Sequence, residues 1–141
     1  YIGGTKVGAL CGEALVFTKH NMPKHFLTSV KQHGALLAKM RVVSQQFDAL
    51  FTDDLYFEIS RHAIDLAMKI KHACLDKGYE LLMDSPTNQQ FPILSREQME
   101  KLRENVQFNL WQWMEDGRVA IRLATSWATK EEDVEELISL L

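Results

Sequence analysis

Val106-Gln107-Phe108-Asn109-Leu110-Trp111-Gln112-Trp113-Met114-Glu115-Asp116-Gly117-Arg118-Val119-Ala120-Ile121-Arg122-Leu123-Ala124 is two alternating runs joined by a reversal. Val106, Phe108 and Leu110 alternate with Gln107, Asn109 and Trp111, and Val119, Ile121 and Leu123 alternate with Ala120, Arg122 and Ala124. A strand sends successive side chains to opposite faces, so this stretch predicts a β-hairpin turning at Glu115-Asp116-Gly117. Helices flank it. Ser95-Arg96-Glu97-Gln98 has the capping-box form and predicts a short helix from Arg96 to about Glu104. Thr129-Lys130-Glu131-Glu132 has the same form and predicts a last helix with Val134, Leu137, Ile138 and Leu141 on its apolar face. Upstream, Tyr79 to Met83 and Gln89 to Leu94 read as strands around the turn Asp84 to Asn88, with Pro92 tolerable at an edge or end. The fold class is therefore α+β, with helices packed on one face of a small antiparallel sheet.

Toward the N-terminus the period becomes helical. Gly78 is placed to end a long helix, in the left-handed conformation, that begins at Thr52-Asp53-Asp54, whose oxygens can cap its free N–H groups. Tyr56, Ile59, Ala63, Leu66, Ile70 and Ala73 form the stripe that this helix should bury. Leu36, Met40, Val43, Phe47 and Leu50 recur in steps of four and three and predict a helix over 35–51. Pro23 sits where an earlier helix can begin, with Phe26, Leu27 and Val30 as its apolar residues. Ala14-Leu15-Val16-Phe17 is a continuous apolar run, the mark of a strand buried on both faces at the edge of a larger α/β sheet.

Composition narrows the function classes. The 141 residues are 46% hydrophobic and 25% charged, with a formal net charge of -3, which is globular composition with no electrostatic reason to bind nucleic acid or an anionic membrane. Cys11 and Cys74 have no CxxC or Cys/His ligand spacing, so we expect no metal site and read both as small core residues of a reducing compartment. The five histidines are likewise read as surface or cap residues. No apolar run reaches a membrane span and the N-terminus has no signal-type pattern, so a cytoplasmic location is the expectation.

Two residues carry candidate chemistry. Lys6, in Gly3-Gly4-Thr5-Lys6-Val7-Gly8, is of the type that forms Schiff bases with carbonyl cofactors. The glycines let the backbone approach a flat ring, and the Thr5 hydroxyl can reach a phosphate. The other reading of Lys6 is a solvated lysine on a glycine-rich loop. Arg122 lies on the strand face opposite Ile121 and Leu123, between Ala120 and Ala124, which are too small to cover it. A guanidinium so placed can grip a carboxylate through two parallel hydrogen bonds, or form a rim salt bridge. Trp111, Trp113 and Trp127 suit a core, an interface or a pocket wall, core or interface being the commoner use.

Taken in order, Gly-Gly-Thr-Lys-Val-Gly, then Lys31-Gln32-His33-Gly34-Ala35-Leu36-Leu37-Ala38-Lys39-Met40-Arg41, Asp53-Asp54-Leu55-Tyr56-Phe57, Thr87-Asn88-Gln89 and Ile121-Arg122-Leu123-Ala124-Thr125-Ser126-Trp127 resemble the C-terminal half of a low-specificity threonine aldolase. The resemblance spans nearly the whole chain. It implies a fold type I pyridoxal-phosphate enzyme related to β-eliminating lyases. Residues 1–51 would be the end of the cofactor-binding large domain with an interdomain helix, and 52–141 the small domain. It implies Lys6 as the Schiff-base lysine, Thr5 as the hydroxyl residue before it, Lys39 near a basic residue that reaches the cofactor phosphate, and Arg122 as the ligand of the substrate carboxylate. The implied reaction is cleavage of threonine or allo-threonine to glycine and acetaldehyde by a homodimer or homotetramer. Ser126 stands where many relatives carry histidine. The acidic partner of the pyridine nitrogen, the ring-stacking residue and the phosphate cup precede the lysine in the family, so the resemblance implies a C-terminal fragment, inactive alone. The alternatives are another fold type I lyase or aminotransferase, or an isolated small domain used for dimerisation.

Overall fold

A computed structural model describes residues Tyr1–Leu141, which divide into two compact units, Tyr1–Glu58 and Ile59–Leu141. The second unit is built on the hairpin. Strand β7 (Val119–Ala124) lies at its centre, paired antiparallel on one edge with β6 (Asn109–Trp113). Its other edge carries β4 (Gln89–Gln90) and β5 (Pro92–Leu94), and β3 (Glu80–Leu81) pairs outside β5. The pairs Gln89↔Ala124, Gln90↔Leu123, Ile93↔Ala120 and Leu94↔Val119 share one register, so β4 and β5 are one strand interrupted at Phe91. Pro92 opens β5 beside that break and not at a sheet edge, because the missing N–H falls where the ladder is already interrupted. The hairpin begins at Asn109, three residues later than alternation suggests, and its register slips between Leu110 and Gln112, leaving Trp111 as the extra residue of a bulge.

Three helices cover one face of this sheet. Helix α3 (Leu55–Asp76) contributes Leu66, Ile70 and Cys74, α4 (Arg96–Arg103) contributes Met99 and Leu102, and α5 (Glu131–Leu140) contributes Val134. They meet Leu94, Val119, Ile121 and Leu123 in one cluster. Full burial of a side chain such as Leu94 or Ile121 stabilises by about 1.5–3 kcal/mol. The helix ends follow the sequence unevenly. Ser95 Oγ accepts from Gln98 N–H at 3.1 Å and Gln98 Oε1 accepts from Ser95 N–H at 2.8 Å, the expected capping box. Gly78, at φ 82°, closes α3 with Tyr79 N–H donating to Cys74 C=O and Gly78 N–H to Leu75 C=O. The last helix departs from expectation: Lys130 is its N-cap without a side-chain bond, and Thr129 Oγ1 instead accepts from Ser126 N–H at 2.8 Å.

The first unit differs from its sequence reading in three places. The expected strand Ala14 to Phe17 shortens to β2 (Glu13–Ala14), paired with β1 (Ile2–Gly3), and Leu15 and Val16 are exposed, because no further strand of the unit lies beside them. Helix α1 covers only Phe26–Gln32, and α2 runs Arg41–Phe51 where 35–51 was expected, so Leu36 precedes it in irregular chain and Lys39 in a turn. Asp53 and Asp54 do not cap α3: both take positive φ, at 50° and 60°, within the turn Thr52–Asp54 that separates it from α2. Aromatic stacking closes that corner, Phe51 on Tyr56 at 4.9 Å.

Candidate functional site

Of the candidate residues, Thr5, Lys6 and Lys39 fall in the first unit and Arg122 in the second, and the surroundings of each are built by its own unit. Lys6 sits in the single helical turn Thr5–Val7, which ends at Gly8 in the left-handed conformation at φ 98°. One face of α2 holds the loop that carries it. Gln46 Oε1 accepts from Leu10 N–H at 2.6 Å, while Gln46 Nε2 donates to its own helix at Val42 C=O. A methyl group on Gly12 would stand 2.5 Å from Val43 Cγ1 of α2, and one on Gly4 2.9 Å from Ala9 Cβ of the loop and 3.1 Å from the Phe47 ring, so both glycines serve close packing here. The Lys6 amine and the Thr5 hydroxyl are exposed and make no hydrogen bond or ion pair, which leaves both free to engage a carbonyl and a phosphate. Lys39 is exposed in the turn before α2, and no contact brings it to Lys6. Cys11 is exposed on the same loop, correcting its reading as a core residue.

In the second unit the β7 register decides the surroundings of Arg122. Asn109 is its partner across β6, and the continuous register of β4 and β5 puts Phe91 opposite it on the other edge. The guanidinium carbon lies 5.8 Å from the centre of the Trp111 ring, and Trp111 rests on Phe91 at 5.0 Å. Arg122 Nε is buried with no hydrogen-bond partner, and none of the five ion pairs includes Arg122. The rim salt bridge that was its alternative role is therefore absent; the neighbouring Arg118, by contrast, pairs with Asp116 and Glu80. A half-buried guanidinium with no acidic partner can take a planar anion through two parallel bonds from whichever of its N–H groups reach the surface. Trp111, Trp113 and Trp127 are each about half exposed, so none is a core residue.

A clasp beyond the strand end fixes this side of the site. Thr125 N–H donates to Asn88 C=O at 3.0 Å, Asn88 Nδ2 donates to Thr125 C=O at 2.6 Å, and Thr125 Oγ1 donates to Ala63 C=O of α3 at 2.6 Å. Nothing in local periodicity marks this role; the only signal is that Thr87-Asn88-Gln89 and Thr125 fall within stretches that carry the resemblance noted above. Ser126 Oγ accepts from Ala128 N–H at 3.2 Å, within the turn that leads to α5.

No protein-family model matches the chain. It is 32% identical over 136 residues to a low-specificity L-threonine aldolase of a Pseudomonas species and 30% identical to the enzyme of that name from Pseudomonas aeruginosa, with 96% of this chain and 38% of each relative covered. The chain thus spans about two fifths of the length of these curated relatives. Among solved structures, threonine aldolase of Leishmania major matches with a TM-score of 0.79 and 31% identity over 84% of this chain and 34% of that one. Serine palmitoyltransferase of Sphingomonas wittichii matches in fold, with a TM-score of 0.54 and 15% identity over 70% of this chain. The chain is therefore a homologue of proteins named low-specificity L-threonine aldolase, and its α+β fold matches a part of the threonine aldolase and serine palmitoyltransferase structures.

Proposed function

We propose that this homologue of the threonine aldolases is the C-terminal portion of a pyridoxal-phosphate-dependent lyase that cleaves β-hydroxy-α-amino acids, threonine or allo-threonine, to glycine and an aldehyde. In this reading residues 1–51 belong to the cofactor-binding domain and 52–141 are the small domain. The working enzyme in this reading is a cytoplasmic homodimer or homotetramer; no helix of the chain is long and apolar enough to cross a membrane. The observation that carries the proposal is the unpaired Arg122 guanidinium over Trp111, at the position where the family resemblance places a carboxylate ligand.

The residues present suit the cofactor. Lys6 offers an unpaired amine on a loop anchored by Val43, Gln46 and Phe47, Thr5 offers a hydroxyl beside it, and Lys39 offers a positive charge for a phosphate. Pyridoxal phosphate, when bound, supplies the electron sink that stabilises negative charge at the substrate Cα. Arg122 grips the α-carboxylate and fixes which Cα bond stands in the reactive orientation. Overall, the β-hydroxyl gives up its proton, the Cα–Cβ bond breaks to release the aldehyde, and Cα takes up a proton to leave as glycine. Lys6 would hold the cofactor between turnovers.

Borohydride reduction of the full-length enzyme with its cofactor should leave a pyridoxyl group on Lys6, and Lys6→Ala should abolish cleavage. An adduct on Lys19, Lys24 or Lys39 instead overturns the assignment. Arg122→Lys keeps the charge but loses the planar fork, so kcat/KM should fall by about 1–3 kcal/mol with the melting temperature unchanged. The 141-residue chain alone should show no cleavage and should self-associate through its exposed apolar first unit.

A further inference from the structure

Arg122 has an unusual support for a residue that must present a planar edge to a ligand. No carboxylate, carbonyl or amide orients its guanidinium; the Trp111 ring lies 5.8 Å from its central carbon, and Trp111 is itself backed by Phe91 at 5.0 Å. Phe91 is buried and stands opposite Arg122 in the β4–β5 register, and Trp111 is the extra residue of the β6 bulge, so backbone geometry places both residues beside Arg122. An acidic partner would orient the arginine too, but would neutralise it and compete with the ligand. An aromatic face holds the cation without using any of its five N–H donors.

We propose that Trp111 is a positioning residue for carboxylate binding: it holds the Arg122 guanidinium against its face so that the N–H edge stays free for the carboxylate of an amino acid. The inference rests on Arg122 being the carboxylate ligand. Trp111 need not touch the substrate; it acts by limiting how many orientations the guanidinium samples before binding, and the loss on removing it falls on binding. Because all four residues, Phe91, Asn109, Trp111 and Arg122, lie in the second unit, the property belongs to this chain as it stands.

The test is titration of the 141-residue chain with sodium acetate, against sodium chloride at equal ionic strength, and with glycine at constant ionic strength, following the Arg122 Nε–H signal by nuclear magnetic resonance. The signal is assigned by its disappearance in Arg122→Lys. In the wild type it should shift saturably with both carboxylates and not with chloride. Trp111→Ala should weaken the apparent Kd by about 3- to 10-fold, and Trp111→Phe should restore most of it, as expected for a cation held on an aromatic face. If Trp111→Ala does not fold, the Phe variant and Trp111→Leu make the same comparison. Equal affinity in wild type and Trp111→Ala or Trp111→Leu overturns the positioning role and leaves the Arg122 assignment standing. A Phe variant as weak as the aliphatic ones overturns the stacking argument. No carboxylate response in the wild type overturns both.

Discussion

The two units of this chain use similar apolar content in opposite ways. In Ile59–Leu141, ten buried side chains from three helices and the sheet form one cluster, and every ion pair of the molecule lies on that unit's surface. In Tyr1–Glu58, Val43 and Leu50 are the buried hydrophobic residues, while Leu10, Leu15, Val16, Leu27, Leu37 and Phe57 are more than half exposed. Apolar patterning alone does not make a core. A helix seam is stabilised only when another element of matching shape covers it, and an uncovered apolar surface marks a place where further protein can pack.

The two cysteines give the sharpest way to break the comparison. Burial raises the Cys74 thiol from 9.0 to about 11, partly offset by Lys77, whereas Cys11 is exposed. A shift of that size lowers the thiolate fraction near pH 8 about a hundredfold, and exclusion of reagent slows reaction further. Dithionitrobenzoate should therefore titrate one thiol rapidly and the second only on unfolding, with mass mapping assigning the fast one to Cys11. Equal rates would mean that the second unit has no closed core.

Truncation separates the units next. Leu94→Ala removes a fully buried side chain at the centre of the cluster and should cost about 2–5 kcal/mol in denaturant unfolding. Leu27→Ala, at an exposed position in the first unit, should change the same transition by about 0.5 kcal/mol or less at dilutions where the chain is monomeric. Comparable losses would show that the first unit is covered in solution, which self-association would explain and light scattering would detect.

Acid titration should have the smallest effect, confined to the second unit. Hydrogen bonds hold three exposed carboxylates below their ordinary range: Asp84 through Lys71, Asp116 through the backbone and side chain of Arg118, and Glu131 through Lys69. A carboxylate depressed in the folded state contributes stability that is present above its unfolded pKa, here 3.8 to 4.5, and lost as pH falls through the folded value. The melting temperature of the second unit should thus stay level from pH 7 to about 5 and decline below 4.5. A decline already complete at pH 5 would point to groups other than these.

Much of the second unit was legible residue by residue. The Ser95 box, the Gly78 helix stop, the Glu115-Asp116-Gly117 reversal and the alternation that isolates Arg122 from Ile121 and Leu123 each depend on neighbours within a few positions, which is the range over which backbone geometry acts. Lys6 was conspicuous for the same reason, on a short glycine-bounded turn. The apolar run Ala14 to Phe17 misled because a continuous hydrophobic segment states a need for cover without saying whether the cover is present.

The linear chain by itself determined the order and type of the main elements of the second unit, the facing of the hairpin residues and the identity of the two candidate side chains, because those follow from local periodicity and residue chemistry. Only the tertiary structure decided that Arg122 has no acid to pair with and rests over Trp111, that Phe91 backs it, that Asn88 and Thr125 interlock, and that α2 holds the Lys6 loop through Val43, Gln46 and Phe47. Each of these joins residues that are distant in sequence or set by strand register, and register is chosen by the packing of whole faces rather than by any single residue.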